Sequence, residues 1–142
     1  MLTCNIDTFA AKKLFDAYWK LNWAIKKIAE EQVVKTVNDQ MWLLNPISGF
    51  WYSLRFTKDI FSTLVQGTAS YLFDMWLKYI LEKRPQLTAT FHDEFVLQIK
   101  EGYEEKCTEL VKYAIDKLNE EVKLNKLLEV NTQFGKRYSD IH

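Results

Sequence analysis

Leu87-Thr88-Ala89-Thr90-Phe91-His92-Asp93-Glu94-Phe95-Val96-Leu97-Gln98-Ile99-Lys100 is the stretch on which the fold is decided. Leu87, Ala89 and Phe91 alternate with Thr88, Thr90 and His92, and Phe95, Leu97 and Ile99 alternate with Val96, Gln98 and Lys100. A period of two sends successive side chains to opposite faces, so the segment predicts two short strands flanking His92-Asp93-Glu94, an acidic β-hairpin tip. Two adjacent carboxylates on a turn held by apolar strands are oxygen donors suited to a hard divalent cation. One hairpin is too small a ligand set by itself. The other acids, such as Glu101, Glu104, Glu105, Glu120 and Glu121, fall on helix faces where solvation is their role.

Outward from the hairpin the period changes. Upstream, Thr57 to about Lys83 predicts a long helix with Ala69, Leu72, Phe73, Trp76 and Ile80 on one face, bent or broken at Gly67 and ended by Pro85. Downstream, Gly102 punctuates and Tyr103, Cys107, Leu110, Val111, Ala114 and Leu118 mark an amphipathic helix reaching about Glu121. Residues 127–134 read as a last strand. At the other end, Asp7 or Thr8 caps a helix to about Lys35, with Leu14, Tyr18, Leu21, Ile25 and Ile28 on one face and a bend at Asn22. The β-branched run 33–37 and the aromatic run 50–52, separated by the turn signal Asn45-Pro46-Ile47-Ser48-Gly49, read as a hairpin. Helices on a small, largely antiparallel sheet make the class α+β.

Composition limits the function. The 142 residues, 48% of them hydrophobic, build one core and leave no room for two. Four glycines and two prolines exclude a low-complexity or disordered chain. Nineteen basic residues balance nineteen acidic ones, so the basic excess of a stand-alone nucleic-acid binder is missing. Cys4 and Cys107 cannot staple a secreted scaffold and lack zinc-finger spacing; they read as small buried or surface thiols. No signal peptide is evident and no apolar run reaches membrane-spanning length, so the expectation is a soluble cytoplasmic protein with no membrane partner. Trp19, Trp23, Trp42, Trp51 and Trp76 belong to an aromatic content of 15%, heavy enough that part of it is expected to face a partner.

Phe91-His92-Asp93-Glu94-Phe95-Val96 resembles motif C of the family A DNA polymerases, the group of bacterial DNA polymerase I and many phage replicases. Leu64-Val65-Gln66-Gly67-Thr68-Ala69-Ser70 resembles the Gln-Gly-Ser/Thr-Ala segment that precedes motif C in that family. The ending Phe134-Gly135-Lys136-Arg137-Tyr138-Ser139-Asp140-Ile141-His142 is similar to the family's Gly-x-x-aromatic-x-x-x-His terminus. Residues 11–19 look like the helix that follows motif B of the fingers. The likeness is strong from Lys58 onward and looser before it, and divides the chain into 1–57, fingers-to-palm helices and hairpin, and 58–142, palm with motif C.

The resemblance implies residue roles. Asp93 would ligate the catalytic magnesium ions of a two-metal site, with Glu94 a supporting carboxylate; His92 would lie near the primer 3′ terminus. Gln66 would meet minor-groove acceptors that every base pair presents. Lys58, where polymerase I has an arginine, would touch the DNA backbone, and Ser62 replaces a frequent asparagine. The reaction implied is attack of the primer 3′-hydroxyl on the α-phosphate of a dNTP, with pyrophosphate leaving. Motif A, Asp-Tyr-Ser-x-x-Glu, is missing from the sequence, and none of Arg55, Arg84 and Arg137 opens a motif B. The expectation is a phage-type split polymerase in DNA replication, in which a separate chain carries motifs A and B and both share primer-template DNA. The alternative is a palm-derived interaction protein that binds a polymerase or replisome component without catalysis.

Overall fold

A computed structural model describes residues 7–141, so Cys4 and His142 lie outside the described residues. The chain divides into two compact units, Met1–Gly67 and Thr68–His142. Among the described residues there are four α-helices and two antiparallel sheets, one of three strands and one of two, which makes the class α+β as expected. The expected single sheet is thus two. No helix among the described residues is long and apolar enough to cross a membrane.

The first unit opens with α1 (Thr8–Leu21), whose Asp7 cap accepts a hydrogen bond from the Ala10 N–H at 2.8 Å. The sequence expects one helix to about Lys35 with a bend at Asn22; the interruption falls at Asn22, separating α1 from α2 (Trp23–Glu30), and the second helix ends at Glu30, before Lys35. The Asn22 side chain donates to the Tyr18 carbonyl at 2.9 Å and its backbone N–H bonds the same oxygen, the local competition by which asparagine ends helices. Three strands follow: β1 (Val34–Val37), β2 (Gln40–Leu44) and β3 (Trp51–Leu54), in the order β1-β2-β3. The expected hairpin therefore holds an additional strand, β2. Asn38 and Asp39, with φ of 50° and 61°, turn the chain between β1 and β2, where the sequence shows neither glycine nor proline.

Asn45 organises the turn into β3. It is fully buried, its Oδ1 accepts from the N–H groups of Ile47 and Ser48 at 2.9 and 3.1 Å, and its Nδ2 donates to the Leu64 carbonyl at 3.3 Å. Leu43 on β2 and Leu54 on β3 are buried as well. After a 3₁₀ turn, Thr57–Asp59, α3 (Ile60–Leu81) runs without a break through Gly67. Gly67 is needed for packing instead of breaking: a Cβ there would lie 2.8 Å from Cζ of Tyr52, whose hydroxyl donates to the Gly67 carbonyl at 3.2 Å.

In the second unit, α3 ends at Leu81 and Arg84 (φ 53°) and Pro85 lead into β4 (Gln86–Phe91), which pairs with β5 (Glu94–Gln98). A bulge between Leu87 and Ala89 makes Leu87 face Leu97 and Ala89 face Val96. The helix α4 (Glu104–Val122) buries Val111, Ala114 and Leu118 of the expected face and adds Ile115, whereas Tyr103, expected on that face, precedes the helix and is exposed. Ile80, Val111 and Ala114 form the core, with Trp76, Phe95, Leu97 and Cys107 packed against it. Trp76 and Phe95 rings lie 4.5 Å apart, and Trp76 Nε1 donates to the Val111 carbonyl at 3.4 Å.

The strand expected at 127–134 does not form; this segment has no sheet partner. The Asn119 side chain of α4 takes the place of a neighbouring strand. It donates to the Leu128 carbonyl at 2.9 Å and accepts from the Leu128 N–H at 2.8 Å, and Val130 packs on the core.

Candidate functional site

Phe91 pairs with Glu94, so the hairpin closes in two residues, His92 and Asp93. The tip is narrower than the sequence suggests: Glu94 is the first residue of β5, half-buried, and only His92 and Asp93 stand exposed in the loop. His92 takes φ of 45°, in the left-handed region that a two-residue turn requires and that histidine tolerates better than most residues. The frame beneath is firm, because β5 sends Phe95 and Leu97 to the core cluster. Asp93 thus stands on a braced turn, with Glu94 opening the return strand beside it.

A cleft of about 1080 Å³ opens beside that turn, with Phe91, Asp93, Glu94, Lys136, Arg137 and Tyr138 in its lining. Part of that lining is built by a tail loop. Asp140 Oδ2 accepts hydrogen bonds from the N–H groups of Lys136 and Arg137, both at 3.0 Å, and a 3₁₀ turn covers Tyr138–Asp140. This closure requires Gly135, where a Cβ would come 2.5 Å from the Asp140 Cβ. The Tyr138 ring then meets Phe91 at 5.8 Å between centroids, which ties the tail to the end of β4. The sequence singles out Gly135 and Tyr138 but leaves Lys136 and Arg137 without a role; the signal available was a basic pair between a glycine and an aromatic residue, closed by an aspartate.

Lys58, Ser62 and Gln66 gather separately, in the first unit. They are exposed and four residues apart, from the 3₁₀ turn into α3, which aligns them as one stripe. Ser62 Oγ donates to the Asp59 carbonyl at 3.0 Å, and Lys58 Nζ lies 5.1 Å from the Phe56 ring centre. Gln66 directly precedes Gly67, whose place is fixed by Tyr52. Each group is thus coherent within its own unit: one polar stripe, one acidic tip.

Among the described residues, no group of three or more His, Cys, Asp or Glu side chains is arranged to hold a metal ion. The donor set at the tip, two carboxylates from consecutive residues, matches the oxygen preference of magnesium and leaves the remaining ligands to come from elsewhere. Cys107 is a free thiol pushed up in pKa by burial, which keeps it protonated and inert, in line with a structural role. Comparisons of the chain with protein families, with curated proteins and with solved structures find no match.

Proposed function

We propose that this chain is the C-terminal palm part of a family A, phage-type DNA-directed DNA polymerase, working in the cytoplasm and active only beside a second polypeptide that supplies motifs A and B. The observation that carries the reading is the two-residue His92-Asp93 turn on a braced antiparallel hairpin, with Glu94 starting the return strand. The resemblance at motif C concerns this turn, and its chemistry agrees with that motif. Further support comes from Gln66 on an exposed helical stripe with Lys58 and Ser62, and from the Gly135 loop that brings Tyr138 to Phe91.

In this reading Asp93 holds the magnesium ions together with an aspartate of the partner's motif A, and Glu94 supports it. Bound magnesium supplies the acidity that activates the primer 3′-hydroxyl and the charge that stabilises departing pyrophosphate. The hairpin fixes the Asp93 backbone in a two-residue turn, which limits the reorganisation its carboxylate needs at the moment of reaction. His92, on the exposed side of the turn, contacts the primer end, and Gln66 tests the minor-groove edge of the new pair. Lys58 neutralises a phosphate, and Ser62, already committed to the Asp59 carbonyl, contributes less.

Primer extension tests this. The chain alone and the motif A/B polypeptide alone are expected to be inactive and the mixture active with magnesium and dNTPs; Asp93→Ala in the mixture should abolish extension. Undiminished extension by the Asp93→Ala mixture would sink the catalytic assignment. A stable complex with no extension under any condition would favour the non-catalytic interaction protein.

A further inference from the structure

Helices α1 and α2 bury none of their residues. Leu14, Tyr18, Leu21 and Ile28 follow one face, and Leu14, Tyr18 and Leu21 are 62%, 52% and 82% exposed; Phe15 and Trp23 stand beside them, also exposed. Helices of this length hold together in water chiefly by covering an apolar stripe, so a bare stripe of large side chains marks a missing neighbour.

Three observations say what the neighbour is. The first is extent. Leu14, Phe15, Tyr18, Leu21 and Trp23, five large apolar side chains on two consecutive helices, are each more than half exposed, the kind of contiguous apolar patch that marks a protein–protein contact.

The second is charge. On α1, Lys12, Lys13 and Lys20 flank the apolar stripe against one carboxylate, Asp16, while on α2 Lys26 and Lys27 already pair with Glu30 and Glu31 at 3.7 Å. A second copy would set three lysines against the same three lysines; an acidic partner would match them. The third is the strand that follows. β1 is an edge strand, exposed at every residue, so its outer N–H and C=O groups call for polypeptide backbone, which a lipid surface does not offer.

We infer that the α1–α2 face, continued by the outer edge of β1, is the seat of a different polypeptide presenting an apolar strip flanked by carboxylates. Its identification with the motif A/B chain rests on the function proposed above; the docking face itself does not.

The test uses the full chain and the co-encoded polypeptide that carries motifs A and B, with stoichiometry from light scattering and affinity from calorimetry. Leu14→Ala/Tyr18→Ala/Leu21→Ala keeps the helix, because alanine is the strongest helix former, and should weaken a 1:1 complex about a hundredfold or more. Lys12→Glu/Lys13→Glu/Lys20→Glu should slow association and reverse its salt dependence. Unchanged affinity in the triple alanine variant overturns the docking face, and no complex with that polypeptide overturns its identification as the occupant. So does binding to phosphatidylserine vesicles, or a homodimer, that the triple alanine variant loses. The two readings separate cleanly. Asp93→Ala should bind fully without extending primers, whereas the triple alanine variant should extend them once the partner is saturating. Binding through α1–α2 with no extension at all refutes the polymerase reading alone, and extension untouched by the triple alanine change at limiting concentrations refutes the docking face alone.

Discussion

Asn38-Asp39 and His92-Asp93 each close an antiparallel hairpin in two residues, and they do it differently. Asn38 and Asp39 both take positive φ, 50° and 61°, the geometry that matches the twist of the flanking strands and that Asn and Asp tolerate at low cost. At the second turn only His92 is in that region, at 45°. The strands differ as well. β1 is exposed along its whole length, whereas β5 is half-buried from Glu94 to Leu97. The first turn holds residues that the backbone selects. The second puts an imidazole and a carboxylate where asparagine or glycine would close the loop at least as well, on a frame much better supported than a turn alone needs. Side chains that local structure does not ask for, held on a stiff mount, are what the proposed function calls for at this turn.

The strongest way to break that contrast is to remove the same charge from both turns. Asp93→Asn keeps the size and turn preference of aspartate; under the proposed function it loses a ligand charge worth several kcal/mol to the reaction, so primer extension by the mixture with the motif A/B polypeptide should fall about a thousandfold. Asp39→Asn should leave extension within twofold of the parent, about 0.4 kcal/mol on the same scale. Single-turnover extension measures both, with circular dichroism to show that each variant is folded. Equal effects at the two positions would remove the functional distinction between the hairpins.

A smaller effect is expected where the first unit packs its sheet on a helix. Gly67→Ala forces a Cβ to within 2.8 Å of the Tyr52 ring, which is tied by its hydroxyl to the same residue's carbonyl. Overpacking of this kind costs about 1–3 kcal/mol, despite the better helix propensity of alanine. Tyr52→Leu should relieve most of the added penalty, so that the double variant is more stable than the sum of the single changes predicts. A Gly67→Ala protein as stable as the parent in urea would mean that Tyr52 can move away freely.

Gly67 also shows where the sequence is legible and where it is not. Its presence inside an apolar helix pattern suggests a bend, and nothing local reveals that an aromatic ring from β3 lies against it. The hairpin at 86–98 and α4 are legible because period and punctuation agree: alternation on both sides of a short polar turn, which the structure narrows from three residues to two, then a helical stripe after Gly102. β2 is hidden because Gln40-Met41-Trp42-Leu43-Leu44 is apolar without alternation and its preceding turn has no glycine. Residues 127–134 have strand composition but no strand partner; Asn119, eight or more positions away, satisfies Leu128 instead. At the candidate site the acids are legible from the hairpin. The basic wall of the cleft is not, because Lys136 and Arg137 are positioned by Asp140, a bond between side chain and backbone that no periodicity encodes.

The least costly change tests whether the second turn sacrifices stability for its side chains. An L-residue in the left-handed region costs up to about 1–2 kcal/mol, least for Asn and Asp and nothing for glycine. His92→Asn should therefore raise stability by about 0.5 kcal/mol and His92→Gly by a similar amount, partly offset by the greater freedom of glycine in the unfolded chain. Asn38→Ala should lower it by about 1 kcal/mol, since alanine has no side-chain carbonyl to support positive φ. Urea unfolding midpoints at constant slope read all three. A gain at position 92 accompanied by weaker primer binding would show that the turn keeps histidine for contact with the primer rather than for closure. A loss at position 92 would mean that the imidazole is itself part of the turn's support, and the two hairpins would then follow one rule.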